Sequence, residues 1–476
     1  MNIGRSSLKL FAAQFGSSIL QFLGIAYFAR VLGPSPLGVF FLFQALLGML
    51  AIPANFGLSG AVEKRISEGK SQGAYLSSAI VLKITPLILI VVTILLFQSL
   101  INNYLGDDLA ILLAVAIILQ EASQLSIAVL KGELRVGETA ILQVTRQIAW
   151  VGVGTAFVSL GFGSVALIYG LLTGLCLVLV WGWYKVSIIP DKPSREHAHS
   201  LIEYSKYNAV SSIGGYFYNW MDVAIIGLFL TQAHVGAYEI AWRVTSIVIL
   251  LSRSIATTIF PQISKWDSKD AQDRIEDLLP QVLTPSLILV IPAFFGTVVL
   301  SEEILGLLFG SEYTIASLAL IILMFDQVTE AGQVVLGRSL QAVNRPDLAA
   351  RATVAGVVIN LGLNLALVKP FGITGAAVAT MIASLISGLL LHGFYLSQIV
   401  PIKIPSLELA SCAIAAVGMT ILIQTVIVIV GVGSIAKLLI MVALGAVIYT
   451  ILLFSSPRMR TKMKIYFETI STRESQ

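Results

Sequence analysis

The chain has 476 residues, of which 57% are apolar or aromatic and only 12% are charged. A soluble domain carries about 25% charged residues, and half that density does not coat the surface of a 51 kDa protein. Together with a mean hydropathy of +0.90, this excludes an ordinary cytosolic enzyme, a disordered chain and a secreted disulfide scaffold. Both cysteines, Cys176 and Cys412, lie inside apolar runs and read as small hydrophobes. The net charge of +4 informs through its placement rather than its size.

A bilayer core needs about 20 apolar residues per helix, and about fourteen such runs follow one another along the chain. The first comes after Arg5 and Lys9 and continues to about Ala29. It is long enough to span and ends in no small-x-small cleavage site, so it reads as a helix rather than a removed leader. Gly33, Pro34, Pro36 and Gly38 form the turn into the second run. The remaining runs centre near Gly48, Ile88, Leu119, Gly152, Gly174, Ala224, Val248, Val290, Val328, Ile359, Leu385, Met419 and Val447. Charged amphipathic stretches at 61–75 and 262–278 are expected along the inner headgroups. The longest connection, about 186–204, contains DKPSREHAHS, and its two histidines read as a solvated face. A barrel would alternate apolar and polar residues with period two, so the fold class is an all-α integral membrane protein.

Lys and Arg placement sets the orientation. Of 30 such residues, Arg30, Lys369 and Lys437 fall on one side; Lys83, Arg146, Arg243, Arg253 and Arg338 fall within spans; the other 22 fall on the opposite side. The crowded side is the cytoplasm, which puts both termini there in a cell (cytoplasmic or inner) membrane and favours an even number of helices.

The two halves repeat. LGPSPLGVFFLFQ (32–44) aligns with LTQAHVGAYEIAW (230–242), QEASQ (120–124) with TEAGQ (329–333), and GFGSVAL (161–167) with PFGITGA (370–376). The offset is 198 for the first pair and 209 for the other two, consistent with one short insertion. The expected organisation is an N-terminal six-helix lobe over 1–187, a cytoplasmic linker at 188–204 and a C-terminal lobe over 205–400. Two added helices occupy 401–456, and a basic tail occupies 457–476. A parallel repeat of six helices is a transporter architecture, with substrate expected at the interface of the halves.

Ionisable groups inside spans are expensive and need a reason. Arg253 and Arg243 on the eighth run are ten residues apart, about 15 Å along one face of a continuous helix. Lys83, Arg146 and Arg30 extend the set of candidate phosphate ligands, Arg by bidentate hydrogen bonding. Arg243 is also four residues after Glu239, a spacing for an intrahelical pair, and Lys83 and Arg146 are near enough to the inner face to snorkel. The acids Glu121, Asp222, Asp326 and Glu330 are candidates for ion coupling or for a polar core. Asp326 and Glu330, four apart on one face, need a proton, a cation or a partner such as Arg338. Tyr216, Tyr218 and Trp220 beside Asp222 offer a sugar-stacking surface or an interfacial aromatic belt.

FARVLGPSPLGVFFLFQ (28–44), VGAYEIAWRV (235–244), VLSEEILGLLFGSEYTIASLAL (299–320) and NRPDLAARATVAGVVINLGLNLALVKPFGITGAAVAT (344–380) resemble the polysaccharide transporter family, the oligosaccharide flippases of the multidrug/oligosaccharidyl-lipid/polysaccharide (MOP) exporter superfamily. The likeness covers about residues 5–455. It implies alternating access by two six-helix lobes, and a flippase carrying a polyprenyl-(di)phosphate-linked oligosaccharide to the outer leaflet for surface polysaccharide or glycoprotein assembly. It also implies that the last two helices guide the lipid tail. The family motifs carry no substrate residue over to this chain, so the site rests on charge placement. No catalytic residue, cofactor or metal is expected. Na+, H+ or the membrane potential is the candidate driving force, glycan polymerases or glycosyltransferases are candidate partners, no nucleic acid is involved, and a monomer already holds both lobes. The alternative is a cation-coupled multidrug exporter of the same superfamily acting through Asp222, Asp326 and Glu330. A glycan polymerase is disfavoured, because the external connections are too short to carry catalytic groups.

Overall fold

The computed structural model describes residues 3–461, with side chains for all of these except 3–14 and 207–219. Its helices are α1 (Ile3–Leu32), α2 (Pro34–Asn55), α3 (Leu58–Ser67), α4 (Gln72–Leu96), α5 (Gln98–Leu105), α6 (Ala110–Gly132), α7 (Val136–Ser159), α8 (Ser164–Lys185) and α9 (Arg195–Phe229). There follow α10 (Gln232–Thr245), α11 (Leu250–Asp267), α12 (Gln272–Leu287), α13 (Val290–Leu308), α14 (Ser317–Ala342), α15 (Pro346–Ala383), α16 (His392–Ser397), α17 (Ser406–Val430) and α18 (Ile435–Ser455). A 3₁₀ turn at Ser311–Ala316 precedes α14, and a π-helical segment at Ser384–Leu391 joins α15 to α16.

Among the described residues, ten helical stretches are long and apolar enough to cross a membrane, or eleven if the bent pair α10 and α11 is one span. The expected fourteen counts three more: α9, of which only Trp220–Phe229 enters this count, a second span in the stretch that follows, and α7. Pro346–Ser397 is a single stretch of 52 residues, about 78 Å if helical throughout, against a core about 30 Å thick. It breaks at Gly372. In α7, Glu138 and Arg146 interrupt the apolar pattern. Burial identifies the medium. Along α4, Val81, Ile84, Ile88, Leu89, Val92 and Leu96 are exposed, so this helix turns aliphatic side chains outward as only a lipid-facing helix can.

The chain forms two compact units, Met1–Gly236 and Ala237–Gln476. In the first, α2 is the centre: Phe40, Phe41, Leu42 and Phe43 are fully buried, and Phe40 stacks on Trp150 of α7 with ring centroids 5.5 Å apart. Residues of α3, α4, α6 and α9 (Leu58, Ile66, Leu76, Val129, Leu201) form a buried apolar cluster of their own in this unit. The repeat counts α9 with the second half, whereas by its contacts it packs with α2, α3, α4 and α5 in the first unit. Gly38 and Gly236 are repeat-equivalent, and each fits where a Cβ would overlap a carbonyl oxygen, of Gln232 and Pro34 respectively. In the second unit, one core gathers α11, α12, α14, α15 and α16; another gathers α13, α17 and α18 around Met419, Ile423 and Tyr449.

Backbone conformation carries the repeat into three dimensions. Gly163 (φ 58°, ψ −134°) and Gly372 (φ 62°, ψ −146°), 209 residues apart, adopt the same left-sided geometry, a region open essentially to glycine alone. The turns after α6 and α14 also match. Leu134 and Asn344 have φ of 61° and 56°, and the next residues, Arg135 and Arg345, donate their N–H to Leu130 O and Leu340 O.

Two expectations are corrected. The connection expected at 186–204 is shorter: Ser194 caps α9, accepting from His197 N, and residues 186–194 form an extended strap fixed to the first unit. Glu133 Oε1 accepts from Ser187 N and Ile188 N at 2.9 and 3.1 Å, Arg135 donates to Ser187 Oγ, and Ser78 Oγ bonds both backbone groups of Ser194. His197 is therefore no free surface residue; its ring packs edge-on to Tyr75 at 4.5 Å. The eighth run is not one helix either, since α10 and α11 meet at 52°. Thr245 and Ser246 hydroxyls bond the carbonyls of Trp242 and Arg243, and such back-bonding competes with the helical ladder and bends it. The single-face argument for Arg243 and Arg253 lapses with the break.

Candidate functional site

Each unit holds ion pairs deep in its helices, and they differ. In the first unit, Lys83 Nζ on α4 meets Glu121 Oε2 on α6 at 2.5 Å, with both side chains almost completely buried. The lysine does not snorkel; two charges assigned separately from the sequence satisfy each other. Arg146 on α7 is half-buried, with its backbone and Cγ against Gly174 of α8. Arg30 is exposed at the end of α1.

In the second unit, Arg243 Nη2 and Glu239 Oε1 make the intrahelical pair allowed by their spacing, at 2.8 Å and largely buried. Arg253, in the first turn of α11, behaves otherwise. Its side chain is 57% exposed and reaches Glu330 Oε1 of α14 only at 3.7 Å. Beside it on the exposed face of α11 stand Ser254, Thr257 and Thr258, each donating its hydroxyl to the carbonyl four residues back. A face with an arginine and three hydroxyls contrasts with the aliphatic lipid face of α4 and is chemically suited to water. Ser252 Oγ donates to Ser286 O at 2.6 Å, which holds the start of α11 against α12.

Glu330 and Asp326 are buried one turn apart on α14. Thr329 Oγ1 lies 3.3 Å from Asp326 Oδ1 and 2.8 Å from Ser384 Oγ of the π segment. Glu330 Oε2 and Gln333 Oε1 are buried with no hydrogen-bond partner among the described residues. Arg338 is not the partner of either acid; it donates to Gln341 at 3.2 Å. Further along, Asn360 Nδ2 donates to Thr380 Oγ1 at 3.1 Å, and Asn364 Nδ2 to Asn360 O at 3.0 Å. This buried polar seam went unmarked in reading for charges. Its signal was available in the repeat: at an offset of 209, Asp326, Asn360, Thr380, Ser384 and Ser387 fall on Ile117, Val151, Leu171, Leu175 and Val178. The second copy is polar where the first is aliphatic. Asp222 and Trp220 on α9 are half-buried in the first unit, and the side chains of Tyr216 and Tyr218 lie outside those described.

An apolar cavity of about 560 Å³ lies between α13, α17 and α18, with the end of α10 and Met324 of α14 on its wall. Pro292, Gly296, Met419, Ile423, Gly445 and Tyr449 line it. The threonine hydroxyls there, of Thr297, Thr420 and Thr450, are bonded to carbonyls of their own helices, and apart from the Tyr449 hydroxyl the cavity offers a mainly hydrocarbon surface.

A multi-pass helical bundle with a repeated backbone, buried ion pairs and an apolar cavity beside its two last helices defines a membrane protein of transporter type. Residues 27–318 match the family described as "Polysaccharide biosynthesis protein", and the chain belongs to that family. It is 55% identical over 465 residues, 98% of each chain, to the "Probable low-salt glycan biosynthesis flippase Agl15" of Haloferax volcanii. The fold is similar to that of "Lipid II flippase MurJ, inward closed conformation", with a TM-score of 0.80 at 18% identity over 94% of this chain and 98% of that one. An inward-facing multidrug resistance MATE family transporter of the MOP superfamily follows at a TM-score of 0.61 and 17% identity, over 80% and 95%.

Proposed function

We propose that this protein is a flippase that moves a polyprenyl-(di)phosphate-linked oligosaccharide from the cytoplasmic to the outer leaflet by alternating access, for surface polysaccharide or glycoprotein assembly. The observation that carries the reading is full-length likeness, at 55% identity, to a protein named as a glycan biosynthesis flippase. Arg253 is the side chain best fitted to a phosphate, being charged, exposed and only loosely held by its carboxylate. A guanidinium there forms paired hydrogen bonds to phosphate oxygens. Arg243 and Lys83 are already engaged at short range and serve as structural charges, with Arg146 and Arg30 as secondary contacts. Trp220, with Tyr216 and Tyr218, is the candidate sugar surface beside Asp222.

The apolar cavity between α13, α17 and α18 holds part of the lipid tail while the phosphates are on Arg253. Both termini are cytoplasmic, the membrane is the cell membrane, and glycosyltransferases or a glycan polymerase supply and consume the load. An interior-negative potential favours outward movement of an anion by about 2.3 kcal/mol per charge per 100 mV, and the acids of the second unit couple the cycle to an ion.

The test is Arg253→Gln in vesicles carrying a fluorescent polyprenyl diphosphate oligosaccharide. Losing charge-assisted hydrogen bonds worth about 1.5–3 kcal/mol slows flipping about 10- to 100-fold with insertion intact, and Arg253→Lys recovers part of it. An unchanged rate in Arg253→Gln removes this residue from the mechanism. Drug-stimulated cation exchange with no glycan movement favours the multidrug exporter instead.

A further inference from the structure

We propose that Glu330 takes up one proton from water when a substrate phosphate draws Arg253 away, so that each anionic load is accompanied by a proton held in the second unit. This rests on the reading that Arg253 contacts phosphate.

The repeat supplies the comparison. Glu121 and Glu330 stand at matching places in QEASQ and TEAGQ, yet their cations differ in kind. Glu121 has Lys83 at 2.5 Å, and neither is open to exchange. Glu330 has Arg253 at 3.7 Å through one oxygen, while its Oε2 is buried without a hydrogen-bond partner among the described residues. The first pair is closed. The second is half-made, and its cationic member stands on a polar, exposed helix face.

Removal of that cation would leave Glu330 and Asp326 as two buried carboxylates one turn apart. A buried charge stripped of its partner is unfavourable, and two like charges in one site add repulsion. A proton on Glu330 Oε2 removes both penalties. The balance is simple: the guanidinium keeps all its protons, the carboxylate gains one H+ from solvent, and the H+ returns when phosphate leaves and Arg253 swings back.

Glu330 faces Arg253 of α11 at 3.7 Å and has Asp326 one turn back on its own helix. On α12 the charges Asp273, Arg274, Glu276 and Asp277 occupy the first two turns. Glu302 and Glu303 lie in the second half of α13, Asp347 and Arg351 lie in the first two turns of α15, and Lys369 lies just before its break. His392 of α16 is held by Ser387 O at 2.7 Å and rests against Gly337, two turns from Glu330.

The experiment uses the full purified chain in detergent with geranylgeranyl diphosphate as the probe. Calorimetry in two buffers of different ionisation enthalpy gives protons taken up per molecule bound, a ratio independent of affinity. The wild type is expected to exceed Glu330→Gln by about one proton per molecule; equal values overturn the proposal. A second measurement needs no variant. Infrared difference spectra of the wild type on probe binding should gain a protonated-carboxyl C=O band, and its absence also overturns the proposal. Arg253→Gln separates the two readings. If it binds the probe as tightly as the wild type, the phosphate assignment fails. If the wild type binds through Arg253 without proton uptake, that assignment stands and the coupling alone is wrong.

Discussion

The Lys83–Glu121 pair gives the sharpest test of how the first unit is held together. Its atoms are 2.5 Å apart, and the side chains are 6% and 4% exposed. At an effective dielectric of about 20, the Coulomb attraction at that distance is about 7 kcal/mol. Desolvating two ions offsets most of it, so the pair contributes little net stability while making each member dependent on the other. Either Lys83→Met or Glu121→Gln leaves one buried charge alone, a loss of about 3–5 kcal/mol. The double substitution Lys83→Met with Glu121→Leu removes both charges and should lie within about 1 kcal/mol of the wild type, or above it. For a unit of this size, each kcal/mol moves the midpoint by about 2–4 °C. Thermal unfolding in detergent, followed by size-exclusion fluorescence, should therefore show single variants at least about 6 °C below the wild type and the double variant close to it. If the double falls as far as the sum of the singles, the pair is not a coupled unit and α4 and α6 are held by packing alone.

Other outcomes follow from single contacts. Gly38→Ala forces a methyl into the Gln232 carbonyl, so it should destabilise by about 1–3 kcal/mol or more, read as a lower melting temperature, while Gly152→Ala, which meets nothing within 4 Å, should not. Gly445→Phe places a ring in the cavity that Met419 and Ile423 line; flipping of a long-tailed substrate should fall several-fold, with short-tailed analogues less affected. Arg135→Ala removes bonds to Ser187, Glu133 and Glu138, and proteolysis within 186–194 should quicken as the strap loosens. A strap cleaved at the same rate would show that Glu133 and Ser78 suffice to hold it.

Much of this could be read without a structure, because membrane insertion writes itself into composition. A hydrocarbon solvent demands long apolar helices, and these are visible as runs. A duplicated fold demands the same special backbone turns, visible as Gly163 and Gly372 in matching phrases. Hydropathy reading merges or splits spans where the chemistry is mixed, as at α7 with Glu138 and Arg146. The intrahelical partner of Arg243 was legible for the same reason as the helices: a spacing of four along one element is a local property.

The partners of Lys83, Arg253 and Glu330 were not. Lys83 and Glu121 are 38 residues apart in sequence, on different helices, and whether a buried charge is matched, shared or left over depends on helix rotation and distance. No residue pattern encodes that. The break between α10 and α11, the fixing of the 186–194 strap and the polar seam of the second unit belong to the same class. Amino-acid sequence by itself determined the solvent, the repeat and the inventory of charges; tertiary structure alone decided which charges cancel and which stay available. The reason is that pairing energy varies steeply over a few ångströms, a scale set by packing rather than by position along the chain.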